Sequence, residues 1–319
     1  MNSHRASPEL EPVGASDSSA SQHDSQFFEI PITLPDGYFV AHIQEPATTS
    51  VTQLLRRLRS GRYAKPFVLA DREYRQLHFD LRFMQSRMSL QYPDTLVLAY
   101  TRKMMAFLLF NPRPRDIVII GLGGGSLTKF CYRQFPRARI TTVEIDQAVI
   151  DLSHFFEVPV PDERLHIVCA DGSRYFEATG HSADVILVDG CDQRGIAPAL
   201  CEERFYQGIH KHLRPGGVLV VNLVGTLGRS AEAVRNIAHV FGDQMLVLPV
   251  SVGRNRIVVA LRNAAKPLDW CAIKQLAARL TEQHELDFLS FAEQLELTDR
   301  TAYAKKSSRR SPTFRHLPR

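Results

Sequence analysis

Short hydrophobic runs separated by turn residues dominate the early part of the chain, and their spacing predicts strands. The clearest runs are Phe28–Ile32, Tyr38–Ile43 and Phe67–Ala70. Short apolar runs bounded by Gly, Pro and Asp are typical of β-strands. One basic segment, from Val51 to Arg59, has helical spacing instead. The pattern therefore predicts a small β-rich N-terminal domain over residues 27–92, with one helix.

Beyond residue 93 the pattern changes to apolar strands that alternate with amphipathic helices. An apolar segment with helical spacing, Thr95–Phe110, ends at the helix-breaking stretch Asn111–Pro114. The predicted strands that follow are Ile117–Gly121, Ile140–Glu144, Leu165–Cys169, Asp184–Asp189, Val218–Asn222, Met245–Val250 and Arg256–Leu261. The predicted helices are Ser126–Gln134, Gln147–Phe155, Ser173–Ala178, Glu203–Leu213, Arg229–Phe241 and Trp270–His284. This alternation favours an α/β fold with a mostly parallel sheet covered on both faces.

The two ends of the chain lack this periodicity. Residues 1–26 are rich in Ser, Ala, Glu and Asp, which predicts a disordered N-terminus. From Arg300 onward there are seven Lys and Arg and no acidic residue, so the formal charge of +5 reflects the end of the chain. We interpret residues 291–319 as a solvated basic tail. Contact with nucleic acid or an anionic surface through this tail is the alternative.

Composition limits the classes of protein to consider. No apolar run reaches eighteen residues and no apolar leader follows the first methionine, so neither a membrane span nor a secretory signal is expected. The five cysteines are scattered without a C-x-x-C pair, which favours a reducing cytoplasm over a disulfide framework or a zinc site. No His, Cys or carboxylate set has metal-ligand spacing, so no metal is predicted.

Ligands of open parallel sheets bind beyond the carboxyl ends of the strands, so the residues that follow each strand are informative. After the first strand of the alternation comes a glycine loop with Gly121, Gly123, Gly124 and Gly125. Such a loop allows close backbone approach to a ligand and leads into a helix N-terminus. A tight strand-to-helix turn without a ligand remains the alternative. Ser126 departs from the G-x-G-x-x-G/A fingerprint, which argues against a dinucleotide.

Acidic residues follow the next three strands. Glu144, about 20 positions beyond the loop, is placed to accept hydrogen bonds from ribose hydroxyls. A helix-capping carboxylate is the alternative there, although Asp146 is the better candidate for the cap. Asp171 can accept from an adenine amine, and Gly172 lets the base lie close. Asp189 and Asp192 place two carboxylates at the centre of the site.

The set is completed by the segment Leu213–Val220, which reads L-R-P-G-G followed by an apolar strand. In this order the motifs resemble the S-adenosylmethionine-dependent transferases of Rossmann-like fold. More closely, GLGGG, VEID, ADG, VDGCD and the segment Leu200–Tyr206 resemble the spermidine synthase (polyamine aminopropyltransferase) family over Ile117–Asn222. Residues 93–290 would then form the Rossmann-like catalytic domain.

The resemblance implies roles for individual residues. Gly121, Gly123 and Gly125 with Glu144, Asp171 and Gly172 would bind decarboxylated S-adenosylmethionine, with Glu144 on the ribose and Asp171 on the adenine side. Asp189 would be the catalytic base. Asp192 and Tyr100 would bind the acceptor amine. The family also implies a homodimer. An amine attacks a sulfonium carbon only after losing its proton, which a neighbouring carboxylate can take.

Two segments differ from the family pattern. Gly124 occupies the place of the Asp in the G-G-G-D-G loop, and the basic residues Arg102 and Lys103 stand where the D-E-x-x-Y-x-E-M motif has an acid beside Met104, although Tyr100 is retained. Two further hypotheses therefore stay open: a methyltransferase-like enzyme that takes intact S-adenosylmethionine, and a non-catalytic ligand-binding homologue with an acidic partner on its basic tail. A nicotinamide dehydrogenase is a minor alternative.

Overall fold

The computed structural model describes residues 25–192, 195–225, 227–250, 255–265 and 267–310. The predicted disordered N-terminus falls outside these ranges except for its last two residues. Ser25 and Gln26 begin the first strand, so the prediction of disorder is wrong for them. Their backbones pair with Pro46 and Glu45 on the next strand.

The N-terminal part is β-rich, as predicted, and its strands form a five-stranded antiparallel sheet. Its strands are β1 (Ser25–Leu34), β2 (Gly37–Pro46), β3 (Phe67–Ala70), β4 (Tyr74–Asp80) and β5 (Phe83–Ser89), paired in that order. Helix α1 (Val51–Arg59) buries Leu54 and Leu58 in one hydrophobic cluster with Ile30, Ile32 and Phe39 of the sheet. Residues 90–98 form turns and bends, so the predicted boundary at residue 92 falls in an irregular segment.

The second part alternates strands and helices. The strands are β6 (Asp116–Ile120), β7 (Arg139–Glu144), β8 (Leu165–Cys169), β9 (Ala183–Val188), β10 (Cys191–Asp192), β11 (Gly195–Ile196), β12 (Leu213–Leu223), β13 (Met245–Pro249) and β14 (Arg256–Leu261). The helices are α2 (Ala99–Met104), α3 (Ser126–Gln134), α4 (Gln147–Asp151), α5 (Tyr175–Thr179), α6 (Glu203–His212), α7 (Leu227–Phe241), α8 (Trp270–His284) and α9 (Phe288–Arg310).

Seven of these strands form one sheet in the order β13-β14-β12-β9-β6-β7-β8. Strands β12, β9, β6, β7 and β8 run parallel, and β14 pairs antiparallel with both β12 and β13. The sheet is therefore mostly parallel, as predicted. The chain order reverses direction between β6 and β9, which makes the carboxyl ends of these two strands the switch point of the sheet.

Both faces of the sheet are covered, and the period of two along β6 shows how. Ile117 and Ile119 lie in a core cluster with residues of α3, α8 and α9. Val118 and Ile120 point to the opposite face and join a cluster with residues of α6 and α7. Strands buried on both faces read as nearly continuous apolar runs, which is the pattern of Ile117–Ile120.

Two predicted helices are shorter than expected because their second halves tighten into 3₁₀ turns. The predicted helix Thr95–Phe110 consists of α2 and a 3₁₀ turn, Met105–Leu109, whose five side chains are all at most 2% exposed. Similarly, α4 is followed by a 3₁₀ turn over Leu152–Phe156. The hydrophobic pattern finds the buried segment, but it does not distinguish these two helical geometries.

The end of the chain needs a correction. Helix α9 continues through residue 291, where the sequence predicts the start of a basic tail. Phe291, Ala292 and Leu295 are buried in the core cluster on one face of the large sheet. The first turns of the predicted tail therefore belong to the packed α/β layer, and residues 311–319 lie outside the described part of the chain.

Candidate functional site

Three glycines shape the loop between β6 and α3. Gly121, Gly123 and Gly125 have φ angles of 99°, 51° and 69°, which L-residues with side chains rarely adopt. A Cβ at Gly121 would lie 2.5 Å from the carbonyl oxygen of Asp189, so the loop and the end of β9 touch backbone to backbone. Gly125 is the residue that precedes the first turn of α3. The loop thus requires the glycines that the sequence singles out.

The fourth glycine of the loop packs against the N-terminal sheet. A Cβ at Gly124 would lie 2.5 Å from Ser86 Oγ on β5 and 3.0 Å from Phe156 Cδ1. The space that a side chain at position 124 would need is therefore occupied. This contact gives a structural reason for glycine at the position where the family pattern has Asp.

Glu144 fixes the loop from the end of β7. Its Oε2 accepts a hydrogen bond from the Leu122 amide at 2.9 Å, and its Oε1 accepts from Ile145 N (2.9 Å) and Asp146 N (3.1 Å). The helix cap belongs to Asp146, whose Oδ1 accepts from Ala148 N at 2.9 Å, as expected from the sequence. Glu144 keeps lone pairs for further donors, because each carboxylate oxygen accepts more than one hydrogen bond.

The end of β8 leads into a tight turn. Asp171 Oδ1 accepts from Ser173 N at 2.9 Å, so the carboxylate is held beside the backbone. A Cβ at Gly172 would lie 2.4 Å from Ile120 Cγ2 on β6. Gly172 therefore allows the turn to pack directly on the central strand.

Asp189 follows the last residue of β9 and is hydrogen-bonded through both oxygens. Asn222 Nδ2 donates to Oδ1 at 2.7 Å, and the Tyr100 hydroxyl donates to Oδ2 at 3.1 Å. Burial raises the pKa of Asp189 to about 6, while the two hydrogen bonds oppose that rise. Burial and the charge of Asp189 raise the pKa of Tyr100 well above 10, so the phenol stays protonated and donates. Asp189 is thus a stronger base than an ordinary aspartate, as a proton acceptor requires.

Asn222 and Asn255, which carry no motif in the sequence, extend this network. Asn255 Nδ2 donates to Asn222 Oδ1 at 2.9 Å. Asn222 is a polar residue near the carboxyl end of an apolar strand, and this position could have identified it as a residue of the site. Asn255 precedes β14, and β14 runs antiparallel to its neighbours, so its start lies at the edge where the parallel strands end. A search restricted to residues that follow strands cannot find it.

Asp192 lies in the two-residue strand β10 and forms an ion pair. Arg229 Nη1 of α7 donates to Asp192 Oδ2 at 2.9 Å and contacts the Ile196 carbonyl at 3.2 Å. The carboxylate is 40% exposed. Its negative charge is therefore partly balanced by a guanidinium that the sequence analysis did not predict.

Arg102 and Lys103, the basic pair beside Tyr100, bind elsewhere. Arg102 Nη1 donates to the carbonyls of Leu96 (2.8 Å) and Val97 (2.6 Å). Lys103 Nζ donates to Gln294 Oε1 of α9 at 2.9 Å and to the Pro249 carbonyl. Neither residue lines the cavity described next, so their charges are directed into the surrounding packing.

A cavity of about 1120 Å³ opens at the switch point. It brings together the predicted residues Gly121, Gly123, Glu144, Asp171, Gly172, Asp189, Asp192 and Tyr100, whereas Gly125 lies outside its lining. One wall comes from the β4–β5 hairpin of the N-terminal sheet, through residues that the sequence analysis missed: Phe79, Phe83, Met84 and Ser86. These loop-proximal side chains carry no motif of their own, because only the fold places them opposite the glycine loop.

Two further properties concern the whole described chain. Within the described ranges, no cluster of three or more His, Cys, Asp or Glu side chains could hold a metal ion. None of the helices in this part of the chain is long and apolar enough to span a bilayer.

Fold and site together define a Rossmann-like α/β transferase with the methyltransferase type of sheet. Residues 97–243 match the spermine/spermidine synthase domain. The polyamine aminopropyltransferase of Chromobacterium violaceum is 36% identical over 247 residues, which cover 76% of this chain and 95% of that protein. That of Neisseria meningitidis serogroup A is 36% identical over 73% of this chain and 90% of that protein. The chain belongs to the polyamine aminopropyltransferase family.

Solved structures agree with the fold. The probable spermidine synthase from Corynebacterium glutamicum superposes with a TM-score of 0.54 at 20% identity, over 66% of this chain and 84% of that chain. This similarity supports the predicted α/β architecture with a β-rich N-terminal part.

Proposed function

We propose that the protein transfers an aminopropyl group from decarboxylated S-adenosylmethionine to an amine, with a polyamine as the acceptor class. The main support for this proposal is the position and the raised pKa of Asp189. Its carboxylate lies in the cavity at the switch point, hydrogen-bonded to Tyr100 and Asn222, with its pKa raised to about 6. A carboxylate of this kind can accept the proton that an acceptor amine must lose.

The donor would lie along the glycine loop. We assign its ribose to Glu144, its adenine to the turn at Asp171 and Gly172, and its closest backbone contacts to the loop of Gly121, Gly123 and Gly125. Among the described residues that line the cavity, four are carboxylates and none is Lys, Arg or His. This charge suits the sulfonium and ammonium of the decarboxylated donor, whereas the carboxylate of intact S-adenosylmethionine would meet acidic neighbours.

The chemistry follows from these positions. The acceptor ammonium gives a proton to Asp189, and its nitrogen lone pair then attacks the methylene carbon bonded to sulfur. The carbon–sulfur bond breaks, its electron pair stays on the sulfur, and a neutral thioether leaves. Tyr100 would help to orient the acceptor. Asp192 would also bind the acceptor, although Arg229 balances part of the negative charge of this carboxylate. Positioning the two reactants lowers the barrier further.

Calorimetric titration with decarboxylated and with intact donor, followed by mass analysis of products formed with putrescine, tests the proposal. We expect tighter binding of the decarboxylated donor and an acceptor heavier by one aminopropyl group. Asp189→Asn keeps the size of the side chain but removes the base, so kcat should fall about 10²- to 10⁴-fold. Preferential binding of intact donor with methylated products would favour the methyltransferase hypothesis, and binding of neither donor the non-catalytic one.

From the family resemblance we also propose a homodimer that works in the cytoplasm. Analytical ultracentrifugation of the full chain tests the first part, since a monomer at micromolar concentration would contradict it.

A further inference from the structure

Three polar side chains form a row across the edge of the large sheet. Val188 of β9 pairs with Val221 of β12, so Asp189 and Asn222 follow at neighbouring positions. Leu223 of β12 pairs with Arg256 of β14, so Asn255 lies beside the same end of β12. The hydrogen bonds run along this row, from Asn255 to Asn222 at 2.9 Å and from Asn222 to Asp189 at 2.7 Å.

The orientation of the middle amide decides what Asp189 meets. A primary amide donates through its nitrogen and accepts through its oxygen, and a rotation of 180° about its last bond exchanges the two. In the observed orientation Asn222 presents N–H to the carboxylate. In the rotated one it would present its oxygen, which repels a carboxylate. Asn222 is 2% exposed, so little solvent is available to compensate for that repulsion.

The donor from Asn255 favours one of these orientations. Its Nδ2 donates to Asn222 Oδ1, on the side of the amide that faces away from Asp189, and in the rotated orientation this N–H group would meet the Asn222 N–H group instead. We propose that Asn255 is a positioning residue that acts through Asn222, locking the amide so that it donates to Asp189 and holds this carboxylate toward the acceptor. The inference rests on the proposed role of Asp189 as the base.

None of the other charged or titratable groups described around the Asp189 carboxylate donates a hydrogen bond to Oδ1 in place of Asn222. Tyr100 of α2 donates to the other oxygen, Oδ2. Cys191 of β10 is close enough for the two charges to interact, and burial raises the pKa of its thiol well above 9, so it remains neutral. Asp192 is paired with Arg229 of α7. The donor to Oδ1 therefore sets how easily Asp189 loses its proton, and removing it should shift the titration of Asp189 to higher pH.

A double-mutant cycle separates action through Asn222 from a merely structural role. Asn255→Leu and Asn222→Leu keep similar side-chain volumes and remove the amides. We expect Asn255→Leu to lower kcat about tenfold, to leave donor affinity within twofold, and to move the acidic limb of kcat/KM upward by about half a pH unit or more. In the Asn222→Leu background the same substitution should have no further effect. Asn255→Gln, which retains an amide donor, should recover part of the loss.

Additive losses in the cycle, or an acidic limb that stays in place in Asn255→Leu, would overturn the inference. Carbon-13 NMR titration of the Asp189 carboxyl in the same variants gives a readout that does not require turnover. If the wild-type protein transfers no aminopropyl group, the proposed function fails, whereas an unchanged Asp189 titration in an active Asn255→Leu variant removes only the role of Asn255. Circular dichroism of each variant identifies any that fails to fold. If Asn255→Leu fails to fold, kcat and the acidic limb of kcat/KM in Asn255→Gln decide whether the inference stands.

Discussion

At the residue scale, the hydrogen bonds of Asp189 set the conditions under which it can act. The carboxylate is buried enough for its pKa to rise to about 6, from an ordinary value near 3.8. Asn222 and Tyr100 prevent a larger rise, because each donates to the charged form. The residue therefore combines the basicity of a partly desolvated carboxylate with a fixed orientation.

The first prediction concerns pH. A base must be ionised to accept a proton, so kcat/KM should fall about tenfold per pH unit below about pH 6 and level off above it. A pH–rate profile between pH 4.5 and 8, with donor binding checked at each end, measures this limb. A midpoint near 4 would mean that the carboxylate titrates as if exposed to solvent, and would contradict the role of burial.

The second prediction concerns the glycine loop. Gly121→Ala places a Cβ 2.5 Å from the Asp189 carbonyl oxygen at a φ of 99°, so we expect a loss of at least about 2 kcal/mol in unfolding free energy and much weaker donor binding. Gly208→Ala is the matched control: it lies within α6 with nothing within 4 Å of the added Cβ. This control should be neutral or stabilising by up to about 1 kcal/mol. Equal effects of the two substitutions in urea unfolding would contradict the argument.

The positions of the acidic residues, though not their roles, could be predicted from the sequence because each lies at or just after the end of a strand of a parallel sheet. Glu144, Asp171 and Asp189 all line the cavity at the predicted edge. Sequence reasoning failed for Asn255, whose place depends on β14 running antiparallel, a pairing that hydrophobic periodicity does not encode. It also did not anticipate Arg229, because the ion pair with Asp192 joins residues that are 37 positions apart.

At the element scale, helix α3 contains an unusual buried amine. Lys129 is 1% exposed, and its Nζ contacts the Pro93 carbonyl at 2.5 Å and Met88 Sδ of β5 at 3.0 Å. Burial lowers the pKa of Lys129 to about 8, although Asp94 and Glu157 act in the opposite direction. The helix that follows the glycine loop thus buries a cation with no carboxylate in hydrogen-bond contact among the described residues.

The third prediction follows from the free-energy cost of burying the charged amine of Lys129. The folded-state pKa near 8 lies below the unfolded value near 10.5, so the unfolded chain binds more protons in that window and stability rises with pH from about 8 to 10.5. At pH 7 Lys129 is protonated in both states, so the folded state bears the whole free-energy cost of burying the charged amine. Lys129→Met should therefore stabilise the protein at pH 7 by about 1–3 kcal/mol, with a smaller gain at pH 9.5.

Urea unfolding at both pH values measures this difference. Lys211→Met, at an exposed position of α6, is the control and should change the unfolding free energy by less than about 0.5 kcal/mol. If Lys129→Met is destabilising at both pH values, the hydrogen bonds of the amine outweigh its desolvation.

Elements were predicted well where burial is one-sided or complete, and less well where helical geometry tightens. Helix α3 and strand β14 have the predicted bounds. The 3₁₀ turn Met105–Leu109 was predicted as α-helix, because a segment in which five consecutive side chains are buried fits both helical geometries. The part of α9 from residue 291 onward was assigned to a tail, since the basic residues after Arg300 obscured the apolar positions before them.

At the scale of the whole molecule, the two sheets share one hydrophobic cluster beneath the cavity. Val68, Leu77 and Met88 of the N-terminal sheet pack with Leu122 of the glycine loop and with Val149, Leu152 and Phe156. The hairpin that forms one wall of the cavity is thus tied to the loop that forms another. We expect the two parts to unfold together, and donor binding to depend on both.

The fourth prediction tests this connection. Phe156 is fully buried in the shared cluster, so Phe156→Ala should cost about 3–5 kcal/mol and weaken donor binding by disturbing the support of Gly124. Val160→Ala, at a side chain that is 83% exposed, is the control and should leave the unfolding free energy and donor binding unchanged. Trp270, the single tryptophan, reports on the α/β part, and far-ultraviolet circular dichroism reports on the whole chain. Separate transitions by the two probes would contradict a shared cluster.

The contact between Ser86 and Gly124 has a consequence for how this chain could diverge. A Cβ at position 124 would lie 2.5 Å from Ser86 Oγ and 3.0 Å from both Ser86 Cβ and Phe156 Cδ1, so a side chain can enter the loop only if these neighbours shift or become smaller. The two positions are 38 residues apart in the chain, one on strand β5 and the other in the loop after β6, and they should therefore behave as a correlated pair in evolution. An ancestor or descendant with Asp at 124 is expected to carry Gly at 86, and Gly124→Asp introduced alone should be rescued by Ser86→Gly.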